Sequence, residues 1–421
     1  MKRSNGEGCP QYNKKRNRFE YYISYYDSSE NKTKRKVFTS KKSAKDAMKK
    51  ATAFNKLIKE NVDIVKSQQT LGEWLQHWLT NYKQPEIRIK TYERYALAIN
   101  KHIVPYIGNM PLNSLTTDNL QQHLMFLLKF GGESEKGLAP RTVNATRRVL
   151  IQSLNDAIDL GYIPKNPADK TKTVKAPKPE ILILSHEQAL ELIVAAKAHS
   201  MISFLAIVLA LGTGMRLGEI FGLTWDNINL SKNVIHIMQS AVKTNHGTVI
   251  QKDLKTNGSR RTIPIPEFVV KTLKEYKYWQ DTFYKVINSS TYIDNNFVFA
   301  NQYGDVRHPA SFSYHYFKKV VQTVSSLPPT LRFHDLRHCH ATWLLSSGVN
   351  VKVVSERLGH ASIRITLDTY AHAIKGMQDT AINALDGYKL LSTPVTIANQ
   401  TPHYSVPTLL NTVIENASEN S

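Results

Sequence analysis

Between Asn166 and Pro179 the chain carries three prolines, with three lysines ahead of Pro177 and little apolar content. Such a stretch cannot bury a core. It reads as a flexible linker over 168–181, and it obliges the chain to fold as separate parts. A length of 421 residues is in any case too great for one core and calls for two or three domains. Behind the linker, 182–390 has the size of one globular unit. Ahead of it, 1–66 and 67–167 differ in charge and in periodicity. Beyond Leu391 the chain has no Lys or Arg, contains Pro394, Pro402 and Pro407, and reads as a weakly ordered tail.

The charge locates the first unit. Fifty-five Lys and Arg against 34 Asp and Glu leave a formal charge of +21 and a pI near 9.7, the balance of a chain whose partner is a polyanion. About half of that excess falls between Met1 and Lys66. There Phe19, Tyr21, Ile23 and Tyr25 alternate with Glu20, Tyr22, Ser24 and Tyr26, the period of a strand. The turn-forming run Asp27 to Asn31 leads into a second extended run, Lys32 to Thr39, and a Lys-rich helix follows over 43–59. A small sheet backed by a helix would carry Arg16, Arg18, Lys34, Arg35 and Lys36 on its strands, placed to enter a DNA groove. The alternative is a solvated basic extension without sequence preference. No apolar run approaches the roughly 18 residues of a spanning helix, so no membrane partner is expected. The N-terminus has no apolar leader. Cys9 and Cys339 are too few for a disulfide framework, which points to a reducing cytoplasm.

From Leu71 the pattern turns helical. Leu71, Trp74, Leu75, Trp78, Leu79 and Tyr82 form one apolar stripe. A second helix is expected over about 90–103, stopped before Pro105. Thr117 or Asp118 would cap a third, striped by Leu120, Leu124, Leu127 and Leu128, and Pro140 opens a fourth. Lys90, Arg94, Arg141, Arg147 and Arg148 decorate these helices as phosphate contacts or as plain surface cations. The Trp and Tyr residues read as core.

The unit 182–390 opens with a helix capped by Ser185 and a buried helix from Met201 to Leu211. Next comes Gly212-Thr213-Gly214-Met215-Arg216-Leu217-Gly218-Glu219, in which Glu219 stands near enough to pair with Arg216. Strands are expected at 234–238, 248–251 and 261–265. Asn257-Gly258 favours a tight hairpin turn between the last two, with Lys255 at its base. Then His334-Asp335-Leu336-Arg337-His338 places His334 and Arg337 on one helix face, and Leu358-Gly359-His360 and Tyr370 follow. Two guanidinium forks, imidazoles and a phenol suit an anionic phosphodiester under attack. A metal hydrolase built on His334, His338 and His340 is the rival, but these residues lack the Glu beside the first His that a zinc protease helix uses. No metal or other cofactor is expected, and His338 and His340 read as structural neighbours.

Taken together, Arg216 within Thr213 to Glu219, Lys255 before a turn and Arg260-Arg261-Thr262-Ile263-Pro264, His334-x-x-Arg337, Leu358-Gly359-His360 and Tyr370 resemble the tyrosine recombinase, or phage integrase, family. The resemblance covers the chain to about Leu385. It implies a multidomain, mainly α fold with small β-sheets: a three-stranded arm-binding sheet plus helix, a helical, SAM-like core-binding domain, and a mixed α+β catalytic domain. It implies a site-specific recombinase that integrates and excises a prophage or conjugative element. Tyr370 would become linked to a 3′ phosphate and conserve the bond energy, so neither metal nor ATP is called for. Arg216 and Arg337 would bind the nonbridging oxygens, His334 would act as general base, His360 would hydrogen-bond the phosphate and Lys255 would protonate the departing 5′ oxygen. The implied partners are double-stranded DNA at core and arm attachment sites, three further copies of the chain, an excision factor and a host DNA-bending protein, all in the cytoplasm on the nucleoid. A binder that kept the fold would have no use for the phenol, and the N-terminal units argue against a type IB topoisomerase. The segment Ala371 to Leu385 would dock as a helix on a neighbour or on its own domain.

Overall fold

A computed structural model describes residues 10–27, 31–59, 64–132, 136–177, 180–252 and 260–374. Lys255, the Asn257-Gly258 turn, Cys9, the segment beyond 374 and the tail lie outside the described residues.

The basic N-terminal run folds as expected into a small sheet and a helix. Strands Gln11–Asn13, Arg18–Asp27 and Lys32–Ser40 form an antiparallel sheet in chain order. The helix Ala44–Lys59 packs on it through Ala47, Ala51 and Phe54, which meet Tyr21 and Ile23. Side chains alternate across a pleated strand, so the cations do not share one face. Ile23 pairs with Lys36 and Tyr25 with Lys34, which puts both lysines on the helix side; Lys36 Nζ lies 4.7 Å from the Phe54 ring centre. Arg35, opposite Ser24, takes the open face together with Arg18, and its guanidinium stacks 4.3 Å from the Tyr22 ring centre. Arg16 is on no strand but in the turn Lys14–Arg16. The reading of five groove-directed strand cations is therefore corrected to two on the open face, Arg18 and Arg35.

The helical unit begins at Leu71, where Thr70 and Glu73 make a reciprocal cap. Trp74 and Trp78 are fully buried, and their indole N–H groups donate to Ser153 O and Asp156 Oδ2. The second helix does not stop before Pro105. It runs from Ile89 through a wide turn at Ala98–Ile103 and on to Ile107, and the widened turn comes where the proline ring would crowd a regular one. Thr116, one residue earlier than expected, caps Thr117–Phe130, and Pro140 opens Pro140–Asp159.

The proline-lysine stretch is not free. Asn144 exchanges two hydrogen bonds with the Val174 backbone, at 2.7 and 2.9 Å. Arg147 donates to Thr171 Oγ1 and O, and Ala168 and Thr171 are buried against the helices. A segment too polar to make a core has been strapped down by side-chain bonds to its backbone, and the expectation of a flexible linker is corrected for its part from Ala168 to Val174. Arg147, expected as a phosphate contact or a plain surface cation, is held by this segment through its Nε and one terminal nitrogen.

In the third unit, Met201–Thr213 is buried almost throughout and forms the axis, with His186–His199, Glu267–Trp279 and Phe333–Ser346 packed on it. Ile228–Asn229, Val234–Ile237 and Arg261–Pro264 make one antiparallel sheet, and Ser240–Thr244 pairs with Gly247–Gln251 in another. The strands on either side of Lys255 thus belong to different sheets, and among the described residues Gly247–Gln251 and Arg261–Pro264 are not paired; the Asn257-Gly258 turn itself lies outside them. The true hairpin turns at Asn245-His246, and Asn245 N–H donates to Glu93 Oε1 of the helical unit at 2.5 Å.

Candidate active site

Two glycines build the arginine site. The axial helix ends on Gly214, at φ +67°, and Val351–Leu358 ends on Gly359, also at φ +67°, a backbone conformation that glycine adopts without strain. A Cβ on Gly214 would come within 2.6 Å of the His340 ring. These turns leave helix-end carbonyls without intrahelical partners, and the arginines take them up. Arg337, 2% exposed, donates to Gly214 O and Leu358 O, both at 2.7 Å. Arg216 donates to Gly359 O at 3.1 Å and to Glu219 Oε1 at 2.7 Å. The Leu358-Gly359-His360 turn is therefore gripped by both guanidinium groups.

Glu219 is the buried counter-charge of the cluster. It caps its own short helix through the Arg216 N–H and also pairs with Arg261 at 2.8 Å. Burial alone would raise its carboxyl, but the bond from Arg261 and the charges of Arg261 and Arg216 outweigh that and hold it at about 2. Arg261 further donates to Arg357 O, and Arg357 to His340 Nε2 and the carbonyls of Pro264 and Gly212. Neither Arg261 nor Arg357 stood out as a site residue. The signal for Arg261 was its strand phase with buried Ile263 and Ile265, which turns it inward. Burial and the neighbouring charge of Arg216 weigh against the Arg337 cation, which has carbonyl partners in place of a carboxylate. An anion arriving here would relieve that cost.

The imidazoles and the phenol complete the pocket. Burial and the nearby arginines hold the His360 ring at about 4, and its Nδ1 shares a hydrogen bond with buried Thr366 Oγ1 at 2.8 Å. His334 lies exposed at the start of the helix Phe333–Ser346; crowding by the surrounding chain, then His338 and the arginines, push it below its ordinary value. Tyr370 sits at a kink in Ile363–Ile374, with φ −116° and ψ 19°, and is 1% exposed. Burial pushes its phenol up to about 12 against the pull of Arg337 and Arg216. Its Oη is hydrogen-bonded, at 2.8 Å, to His338 Nδ1. His338 is thus a neighbour of the phenol and not merely structural; His340, bonded to Leu211 O and Arg357, is structural as expected. The available signal was the four-residue spacing of His334 and His338, which sets both on one helix face.

Six expected residues are accounted for as follows. Arg216, Glu219, Arg337, His360 and Tyr370 converge around the 358–360 turn, with His334 at the rim beside His338, their ring centres 5.0 Å apart. Of the remaining basic residues, Lys90 pairs with Glu93 at 3.4 Å, while Arg94, Arg141 and Arg148 are exposed on the helical unit. Among the described residues no group of three His, Cys, Asp or Glu is placed to hold a metal, and no helix is long and apolar enough to cross a membrane.

This assembly agrees with what the sequence matches. Residues 183–376 fit the phage integrase family model, and residues 70–128 fit the N-terminal SAM-like domain of phage integrases. The chain belongs to the phage integrase family, the tyrosine recombinases. Among its integrase relatives, a tyrosine recombinase XerC-like protein of Caldanaerobacter subterraneus subsp. tengcongensis is 28% identical, over 82% of this chain and 90% of that protein. The ICEBs1 integrase of Bacillus subtilis is 26% identical, over 70% of this chain and 77% of that one. The fold is that of the Tn1549 transposon integrase solved with a circular intermediate DNA: TM-score 0.62 and 22% identity, covering 76% of this chain and 99% of that one.

Proposed function

We propose that this integrase cuts and rejoins double-stranded DNA through a 3′-phosphotyrosine formed by Tyr370, without metal or ATP, to integrate and excise a mobile element. The carrying observation is the convergence of Arg216, Arg337 and His360 on one turn, with Tyr370 in the same buried cluster as Leu358 of that turn. Phosphoryl transfer asks the protein for positioning and for positive charge on the nonbridging oxygens. Two forks can supply that charge bidentately. Arg337, buried and bonded only to carbonyls in this cluster, suits the phosphate best. Lys255 is assigned the proton for the departing 5′ oxygen.

In the same reading, 1–66 contacts arm sites, 67–167 and 182–390 close on the core site, and 391–421 is a tail. Four copies meet on two duplexes, because four strands are exchanged. An excision factor and a host DNA-bending protein complete the assembly, in the cytoplasm.

Tyr370→Phe is expected to abolish covalent capture of nicked DNA while leaving binding nearly intact. An adduct formed by the Phe variant would overturn the assignment. Sequencing the DNA trapped on the wild-type chain gives site, polarity and spacer together. Recombination that a chelator stops and only zinc restores would favour metal chemistry instead.

A further inference from the structure

The hydrogen bond to Tyr370 singles out a residue that the recombinase reading leaves idle. His338 follows Arg337 directly on Phe333–Ser346, and that helix is fixed by Arg337 on the Gly214 and Leu358 carbonyls. Tyr370 is fixed from the other side, packed with Ala341, Leu345, Val354 and Leu358. Phenol and imidazole thus face each other at 2.8 Å on two braced supports. Either partner can donate in this bond, according to the imidazole tautomer; with the ring's hydrogen on Nε2, Oη–H donates to Nδ1.

We propose that His338 is the proton acceptor for Tyr370, which leaves His334 and His360 to the phosphate. The proposal rests on Tyr370 being the nucleophile. As the Oη–P bond forms and the P–O5′ bond breaks, the phenol proton passes to Nδ1 and His338 becomes an imidazolium. The departing O5′ takes its proton from the general acid assigned to Lys255. In rejoining, an incoming 5′ hydroxyl displaces Oη from phosphorus and the imidazolium returns its proton to the phenol, so the residue is restored each cycle.

The surroundings fit both states of the ring. Burial lowers the affinity of His338 for a proton, Arg337 and Arg332 act in the same direction, and Asp335 opposes them. The ring is therefore neutral before the step. Asp335, fully buried three residues earlier on the helix and itself paired with Arg332 at 2.6 Å, is the charge that favours the imidazolium. The rings of His334 and His338 stand perpendicular, 5.0 Å apart, and His334 is the more exposed residue of the two. A group that donates to a nonbridging oxygen belongs there; the proton acceptor belongs on the phenol.

The test uses the full chain and a synthetic duplex of the sequence trapped on Tyr370, nicked beside the cleaved phosphate. Single-turnover adduct formation is followed at saturating DNA across the neutral and alkaline range for wild type, His338→Gln, His338→Ala and His334→Gln. Both His338 variants are expected to lose about 10²- to 10⁴-fold in rate. The wild-type limb that follows the neutral imidazole should vanish from their profiles, leaving a rate that climbs with hydroxide. Added imidazole should restore part of the rate to His338→Ala, which a purely structural defect would not allow. His334→Gln should slow capture and keep the limb. The proposal is overturned if the His338 variants capture DNA at the wild-type rate, if imidazole leaves His338→Ala unchanged, or if His334→Gln alone removes the limb. An adduct on Tyr370→Phe would instead overturn the nucleophile assignment beneath it.

Discussion

Two populations of arginine in this chain do opposite work. Around the 358–360 turn, the Arg337 and Arg261 side chains are enclosed, Arg337 bonded to carbonyls and Arg261 to a carbonyl and to Glu219. On the N-terminal sheet, Arg18 and Arg35 lie on an open strand face, one paired with Glu20 and the other resting on the Tyr22 ring. The first group is held in one geometry before any anion arrives. The second lies on a strand face that no helix covers among the described residues. Preorganised forks suit a transition state, whereas exposed cations suit affinity and counterion release.

The sharpest break of that contrast is Arg337→Lys, which keeps the charge and loses the fork. Cleavage of nicked DNA should fall by about 10²- to 10³-fold with binding little changed; a drop confined to affinity would put Arg337 in the second group. Glu219→Gln comes next. It leaves buried Arg261 without its carboxylate, and breaking a buried pair costs about 3–5 kcal/mol, read from the denaturant midpoint of the catalytic unit. The pH sign follows from a carboxyl held at about 2 in the fold against 4.5 as its reference. The stability it contributes is fully present above 4.5 and is lost as the pH falls toward 2, and the Gln variant should lack that acid limb.

On the sheet, Arg18→Ala with Arg35→Ala should weaken arm-site binding and lower the slope of log affinity against log salt by roughly 2, with core-site cleavage untouched. A slope unchanged by both substitutions would take this face off the DNA. Arg147→Ala is the smallest effect. Its guanidinium bonds a backbone, so about 1–3 kcal/mol of helical-unit stability should go while the salt slope stays. A fall in slope would return Arg147 to the phosphate contacts.

What could be read in advance follows the same division. Strand alternation at Phe19 to Tyr25 and the stripe through Trp74 and Trp78 are local periodicities, and both elements formed where expected. The cluster Arg216, Arg337, His360 and Tyr370 was legible because each sits in a short motif. Pairings between distant segments were not. Asn257-Gly258 is a strong turn signal, yet Arg261–Pro264 found its partner at Val234–Ile237, where Ile235, Ile237 and Ile263 are buried together. Motif spacing does not show the bond of His338, because its phenol partner lies 32 residues later. The strap after Asn166 leaves no hydrophobic trace, because its anchors, Asn144 and Arg147, are polar residues of a neighbouring helix.

That strap sets a leash length. Val174 is tied to Asn144 on one unit, and Glu180 O accepts from Arg332 on the other. Six residue steps separate the two knots, a reach of roughly 20 Å at full extension. The units cannot part by more than this on the strap side while both knots hold. The Asn245 hairpin touches the helical unit as well, through its N–H on Glu93, so the strap is one of two ties between the units.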